Sequence, residues 1–218
     1  MQHKNRPLRR CSPSLHPKKR ILILCEGRET EPTYFDGLRL QEQARTVEIK
    51  IDNRGGVPKT LVERAVAELK ASRRAARGAG DQNLSYDEVW CVFDVDEHPN
   101  LPDAQQQAHA HGIKLAVSNP CFELWLLLHF REQTASIERH ALQTECRKCM
   151  PKFNKSVSFE EVKYGVDDAV QRAIKLEKWQ AERYSSGENP STDVHKLVLV
   201  IKDSGKGFHQ SETDTATP

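Results

Sequence analysis

The chain has 218 residues, of which 37% are hydrophobic and 29% are charged, and its formal net charge is +2 at pH 7. This length is enough for a domain that buries its own hydrophobic core. No purely apolar run exceeds five residues, which excludes a membrane-spanning helix. The N-terminus has no secretory pattern, and we therefore expect a cytoplasmic protein.

The two ends of the chain differ in composition from its middle. Residues 1–19 carry six Lys or Arg residues and no acid, and residues 204–218 are rich in Ser, Thr, Gly and acid. We expect both to be disordered. The basic arm either steers the protein toward a polyanion such as nucleic acid or is an inert tail. Residues 20–203 are expected to form one domain, with a sheet core at about 20–130 and a helical part at about 131–203.

The first predicted element is a short strand at residues 21–25. Its apolar residues do not alternate with polar ones, which indicates a central strand buried on both faces. Glu26 follows at the end where a parallel sheet meets its ligand, and Gly27 permits a sharp turn there. Pro32 suits the first turn of a helix, and apolar residues follow it at helical spacing. The segment therefore predicts a strand, an acidic loop and a helix.

Further strands and helices alternate along the chain. The pattern predicts helices at residues 58–78 and 102–112 and strands at 46–52, 88–93 and 113–117. The first of these strands alternates apolar with charged residues, which indicates a position near a sheet edge. This order of elements predicts right-handed crossovers and a parallel sheet with helices on both faces.

The second half of the chain is predicted to be mostly helical. Asn119 and Pro120 suit the N-cap and first position of a buried helix that starts directly after the fourth strand. Residues 158–179 combine a capping-box spacing with one apolar face. A second Asn-Pro pair at 189–190 precedes a final helix, although residues 197–201 also fit a strand.

Acidic residues follow two of the predicted strands. Glu26 ends the first strand, and Asp94 and Asp96 end the third. Alternate residues of an extended chain point the same way, so we expect these carboxylates to meet at the carboxyl edge of the sheet. Clustered carboxylates repel each other, and a hard cation bound by oxygen ligands relieves that repulsion. The cluster predicts Mg²⁺ or Mn²⁺, with a phosphodiester as substrate.

This arrangement resembles the Toprim domain, the catalytic core of topoisomerases, primases and overcoming-lysogenization-defect nucleases. The Toprim signature is a Glu after the first strand and Asp-x-Asp after the third, which correspond here to Glu26, Asp94 and Asp96. The resemblance implies an α/β fold, with a Toprim-like, mostly parallel sheet covered by helices on both faces and followed by a helical C-terminal part. It also implies that the aspartates hold Mg²⁺ and that Glu26 is a metal ligand or a general acid/base.

A second resemblance rests on four segments, ILILCEGRETEPTYF (21–35), FDVD (93–96), SNPCFELWLLLHF (118–130) and NPST (189–192). With these segments the chain resembles the RloB-like family of abortive-infection proteins over about residues 20–203. The resemblance implies a prokaryotic antiphage defence nuclease acting on RNA, with tRNA as one candidate, or on DNA. Such proteins are often encoded beside an ATPase of the AAA or ABC type, and a homo-oligomer is one option for assembly.

Other residues near the same edge are candidates for ligand contacts. We favour Glu31 as an additional metal ligand, although a charge at a helix N-terminus explains it equally well. Asn119 and Glu123 open the helix after the fourth strand, where free N–H groups bind phosphates, but N-capping alone accounts for Asn119. Arg28, on the acidic loop, is a candidate for substrate binding.

The sequence also raises two alternative functions and one alternative metal site. A Toprim scaffold could bind nucleic acid or a nucleotide and regulate an ATPase without cutting, although the presence of all three carboxylates favours an enzyme. A phosphatase of the haloacid-dehalogenase type places Asp-x-Asp after the first strand, where this chain has Glu-Gly. A zinc site at Cys146, Cys149 and His140 lacks the second pair of a four-ligand site. The six cysteines favour thiols over disulfides.

Overall fold

The computed structural model describes residues 18–51, 57–95, 101–151, 153 and 157–205. Short 3₁₀ turns lie at Gln82–Leu84 and Lys163–Gly165. The strands and helices, in chain order, are β1 (Ile21–Cys25), α1 (Thr30–Gln41), β2 (Val47–Ile51), α2 (Pro58–Ala79), β3 (Glu88–Asp94), α3 (Leu101–His111), β4 (Lys114–Asn119), α4 (Glu123–Leu128), α5 (Arg139–Cys149), α6 (Phe159–Val162), α7 (Val166–Ala181), β5 (Ser191–Thr192) and α8 (Val194–Gly205).

The strands form one sheet in the order β2-β1-β3-β4-β5. β1 pairs in parallel with β2 and β3, and β3 pairs in parallel with β4. This confirms the predicted α/β class with a mostly parallel sheet, and it places β2 at an edge, as its alternating pattern indicated. β5 pairs antiparallel with β4, so the part of the chain after residue 131 adds a strand as well as helices.

Helices cover both faces of the sheet, and β1 shows why its sequence is apolar throughout. Ile21, Ile23 and Cys25 belong to a large core with residues of α1, α4, α7 and α8. Leu22 and Leu24 face the opposite side, in a second core with residues of α2 and α3. Because successive side chains of a strand point to opposite faces, a strand between two cores needs an apolar residue at every position.

The first Asn-Pro pair does not start a helix, so the prediction that Asn119 is an N-cap was wrong. Asn119 is the last residue of β4, the peptide bond to Pro120 is cis, and α4 begins only at Glu123. The Asn119 Nδ2 donates to the backbone oxygen of Gly187 at 2.9 Å. The strand pairing with β5 therefore extends through the residue that we expected to cap the helix.

The second Asn-Pro pair also precedes a strand. Ser191 pairs with Asn119 and Thr192 with Ser118, and the helix begins at Val194. The preference for a helix over residues 197–201 is confirmed, because they lie within α8. α6 starts at Phe159, as the capping-box spacing indicated, but the Ser158 side chain makes no capping hydrogen bond.

The described residues reach slightly beyond the expected domain at both ends. The Lys18 Nζ donates to the backbone oxygen of Ser204 at 3.2 Å, and α8 continues to Gly205. The rest of the predicted arm and tail lies outside the described residues. Within the described residues, none of the helices has the length and apolar character needed to span a membrane.

Candidate active site

A cleft of about 480 Å³ opens at the carboxyl edge of the sheet. It lies where β1 and β3 end and where α1, α4 and α5 begin, which brings together segments that are distant in sequence. Two cations, Arg28 and Arg139, also line it. Its acidic lining residues are Glu26, Glu29, Glu31, Asp94 and Glu123.

Asp94 is anchored at the end of β3 by two hydrogen bonds. The Phe122 backbone N–H donates to its Oδ1 at 2.9 Å, and the Arg139 Nη2 donates to its Oδ2 at 2.8 Å. Burial raises the pKa of Asp94 well above its usual range, the carboxylates of Glu31 and Glu123 raise it further, and Arg139 opposes them. The single ion pair therefore does not compensate for the desolvation and the crowding of negative charge.

Glu31 lies in the first turn of α1 and is buried, with 8% of its surface exposed. Its carboxylate rests directly against Gly27, where an added Cβ would overlap the carboxylate atoms. Burial raises the pKa of Glu31 to about 7, its own backbone N–H opposes this, and the charges of Glu123 and Glu26 add to it. Gly27 therefore makes room for a buried acid as well as for the turn after β1.

Glu26 is held at the end of β1 by the sheet itself. Its backbone N–H donates to the Val92 backbone oxygen at 3.0 Å, which continues the parallel pairing of β1 with β3 beyond Cys25. Its charge acts on both Glu31 and Asp94, raising the pKa of each. The fold therefore brings Glu26 and Asp94 together as the strand order predicted, whereas Asp96 lies outside the described residues.

The start of α4 adds a fourth carboxylate, Glu123, to Glu26, Glu31 and Asp94. One oxygen of Asp94, one oxygen of Glu123 and the Cys121 Sγ all lie within 4.8 Å of one another. Gln143 of α5 donates from its Nε2 to the Glu123 Oε1 at 3.0 Å, which orients that carboxylate. Burial raises the pKa of the Cys121 thiol, and the neighbouring acids raise it further, so the thiol stays protonated.

The donors of the cleft fit a hard divalent cation. Glu26, Glu31, Asp94 and Glu123 offer only oxygen ligands, which Mg²⁺ and Mn²⁺ prefer. Burial is the main reason that the pKa values of Glu31 and Asp94 are raised, and the neighbouring carboxylates raise both further, so the ionised form of this group is disfavoured in the protein alone. A bound cation would favour that ionised form.

Of the other residues predicted to contact a ligand, some line the cleft and some do not. Arg28 lines the cleft, but Asn119 does not, because its side-chain amide contacts Gly187. Cys146 is buried, and its Sγ donates to the Glu123 backbone oxygen at 3.3 Å. Among the described residues, Cys146, Cys149 and His140 do not form a group of metal-ligand type.

Sequence reasoning missed Arg139 and Gln143. Both lie on α5, a helix that the sequence pattern did not single out, and both reach back into the cleft. Arg139 contacts Asp94 across 45 positions of the chain, a contact that no local pattern encodes. Its presence shows that the helical part completes the site that the sheet begins.

Comparison with known proteins identifies one family that covers most of the chain. No curated protein and no solved structure matches the chain. A family model described as RloB-like protein matches residues 21–201, which include β1 and most of α8. The chain therefore belongs to the RloB-like protein family.

Proposed function

We propose that the chain is a metal-dependent nuclease of Toprim type that cleaves RNA, with tRNA as one candidate, or DNA in prokaryotic antiphage defence, together with an ATPase partner of the AAA or ABC type. The convergence of Glu26 and Asp94 from neighbouring parallel strands into one acidic cleft carries the proposal. Membership of the RloB-like family supports the defence role and the partner.

The carboxylates of the cleft are the metal ligands in this proposal. Glu26, Asp94 and Glu31 hold Mg²⁺ or Mn²⁺, and Glu123, oriented by Gln143, completes the oxygen donors. A cation held by these residues would supply a water that is easier to deprotonate and positive charge opposite the phosphate.

Two arginines are suited to the phosphate. Arg139 already lies 2.8 Å from a carboxylate oxygen of Asp94, and its planar guanidinium can bind a phosphate oxygen in the same way. Arg28, on the loop after β1, lines the same cleft. Glu26 is, in this proposal, either one of the metal ligands or the general acid/base for the attacking or leaving oxygen.

A thermal titration with Mg²⁺, Mn²⁺ and Ca²⁺ tests the metal site, alongside a nuclease assay on tRNA and on single- and double-stranded DNA. A cation that binds only the folded state adds about 2.7 kcal/mol to the free energy of unfolding at a hundredfold excess over Kd, and the melting temperature shifts upward. We expect this shift in the wild type and a reduced shift in Glu26→Gln. The matched control is Glu88→Gln, which removes a carboxylate at the opposite end of β3. This variant should keep the metal-dependent rise in melting temperature.

The assay also separates the enzyme from the alternative. If wild-type protein shows no metal-dependent shift and cleaves no substrate even when the ATPase is supplied, the nuclease proposal fails. The chain would then be a subunit that binds nucleic acid or a nucleotide and regulates the ATPase without cutting.

A further inference from the structure

The C-terminal half of α2 carries a stripe of four exposed cations, Lys70, Arg73, Arg74 and Arg77. Their spacing of three, four and seven residues places them on one face of the helix. No acidic residue interrupts residues 70–80. Within the described part of the chain, none of the four forms an ion pair. We call this set the basic stripe.

Many cations elsewhere on the surface are paired. Lys50 lies 2.9 Å from Glu68, Lys114 lies 3.0 Å from Glu88, and Arg131 lies 3.1 Å from Glu145. The basic stripe departs from this pattern, because it concentrates four like charges and none of them lies within ion-pair distance of an acid among the described residues. Such an arrangement favours an external polyanion.

The basic stripe lies at the amino edge of the sheet, at the end of the molecule opposite the acidic cleft. Ser72, within the same turns of α2, accepts a hydrogen bond at 3.4 Å from the Tyr86 backbone N–H. The Arg20 guanidinium lies 4.7 Å from the centre of the Tyr86 ring, and Arg20 immediately precedes β1. These contacts connect the stripe to the start of the sheet, whereas the cleft lies where the strands end.

The N-terminal segment that precedes the described residues is also positively charged. The described part begins at Lys18, three residues before β1 and therefore at the amino edge. Residues 1–17 contain four cations, Lys4, Arg6, Arg9 and Arg10, and no acid. The basic arm therefore joins the domain at the end of the molecule that carries the basic stripe.

The composition of α2 indicates which part of a nucleic acid it can contact. The helix has no aromatic residue on which an unpaired base could stack, and the stripe itself has only Lys and Arg side chains. Seven positions of a helix span about 10 Å, along which duplex DNA carries about six phosphates. Over this length the duplex offers at least one phosphate for each of the four cations.

We propose that Lys70, Arg73, Arg74 and Arg77 form a docking surface for the phosphate backbone of double-stranded nucleic acid. Its role in delivering substrate rests on the proposed nuclease function, but the binding itself does not. Without a bound cation the carboxylates of the cleft oppose the approach of a polyanion, and a separate basic surface favours it. Contacts to phosphate fix position without reading sequence, and the docking is therefore independent of sequence.

The test measures binding of the full chain to labelled duplex DNA and duplex RNA by fluorescence anisotropy, in EDTA so that nothing is cut. One variant changes all four stripe residues to Gln. The matched control removes the same charge from other exposed positions on α5 and α7, with the substitutions Arg147→Gln, Lys148→Gln, Lys175→Gln and Lys178→Gln.

We expect the slope of log affinity against log salt to fall by about 3 to 4 in the stripe variant, at about 0.9 for each lost phosphate contact. The control variant should change the slope by less than about 0.9, the value for one phosphate contact. Circular dichroism melts check that both variants remain folded. Equal slopes for the two variants would overturn the proposal, as would binding of the wild type to anionic phosphatidylserine vesicles but not to either duplex.

The outcomes also distinguish this proposal from the nuclease proposal. If the stripe variant loses duplex binding and the wild type cleaves nothing, the docking surface stands and the nuclease does not. If the wild type cleaves a substrate but the two variants bind duplexes equally, the docking surface fails and the nuclease stands.

Discussion

The two ends of β3 carry the same kind of group in opposite electrostatic states. At the amino end, Glu88 accepts hydrogen bonds from the Lys114 Nζ at 3.0 Å, the Trp90 Nε1 at 3.1 Å and the Lys19 Nζ at 3.3 Å. Burial alone would raise the pKa of Glu88, but these donors outweigh it, and the pKa is lowered. At this end the fold neutralises the charge that it encloses.

At the carboxyl end, Asp94 pairs with Arg139 and lies among the other carboxylates of the cleft. Burial and those charges raise the pKa of Asp94. One strand of seven residues therefore runs from a carboxylate stabilised as an ion to one destabilised as an ion. The difference teaches that the crowding at the cleft is not a general feature of this sheet, and such local crowding is typical of functional sites.

The largest effect should follow from Asp94→Asn. The substitution removes a metal ligand, so cleavage should fall by more than the roughly 10- to 100-fold loss typical of outer-shell partners. Because it also removes one of several clustered charges, the melting temperature without metal should not decrease. The measurements are cleavage rate and thermal unfolding in EDTA. A variant that unfolds well below the wild type would make Asp94 a structural residue.

Gly27→Ala should impair the cleft without unfolding the domain. The new Cβ would overlap the Glu31 carboxylate and displace it. We expect activity and Mg²⁺ affinity to fall by roughly 10- to 100-fold, as for loss of a residue that orients a metal site. Gly78→Ala is the control, because it lies in α2 with open space around its Cβ position. Unchanged activity in Gly27→Ala would show that the position of Glu31 is unimportant.

Glu88→Gln should lower stability and leave cleavage unchanged, which is the opposite of the effect expected for Asp94→Asn. It removes a carboxylate that three donors stabilise, so the free energy of unfolding at neutral pH should fall by about 1 kcal/mol, while cleavage stays at the wild-type rate. Urea unfolding measures the free energy of unfolding, and the nuclease assay measures the cleavage rate. Equal stability of Glu88→Gln and the wild type would remove the contrast between the two ends of β3.

Acid provides a second check on Glu88. Because its folded-state pKa lies below the ordinary value of 4.5, its contribution to stability is complete above pH 4.5 and is lost as the pH falls through the folded-state pKa. The stability difference between wild type and Glu88→Gln should therefore shrink as urea unfolding is repeated down to about pH 3. A difference that stays constant would assign it to packing and not to charge.

The smallest effect should come from deleting residues 1–17. The deletion removes four positive charges, which should reduce the salt dependence of duplex binding by less than loss of the basic stripe does. Stability should not change, since Lys18 and its contact with Ser204 are retained. A larger effect than that of the stripe variant would make the arm the main contact with nucleic acid.

The sequence by itself determined the parts of the fold that depend on local pattern. The doubly buried β1, the edge position of β2 and the basic half of α2 follow from apolar spacing and charge, because each pattern reports directly on how many faces are covered. The meeting of Glu26 and Asp94 followed as well, since parallel strands that end in carboxylates end at one edge.

Only the tertiary structure decided what completes the site. Asn119 is well suited to an N-cap, yet pairing with β5 holds it in a strand, because a long-range ladder outweighs a local preference. Arg139 reaches Asp94 across 45 positions, and the Glu31 carboxylate occupies the space above Gly27. Contacts of this kind depend on how helices pack around the sheet, and no periodicity along the chain records that packing.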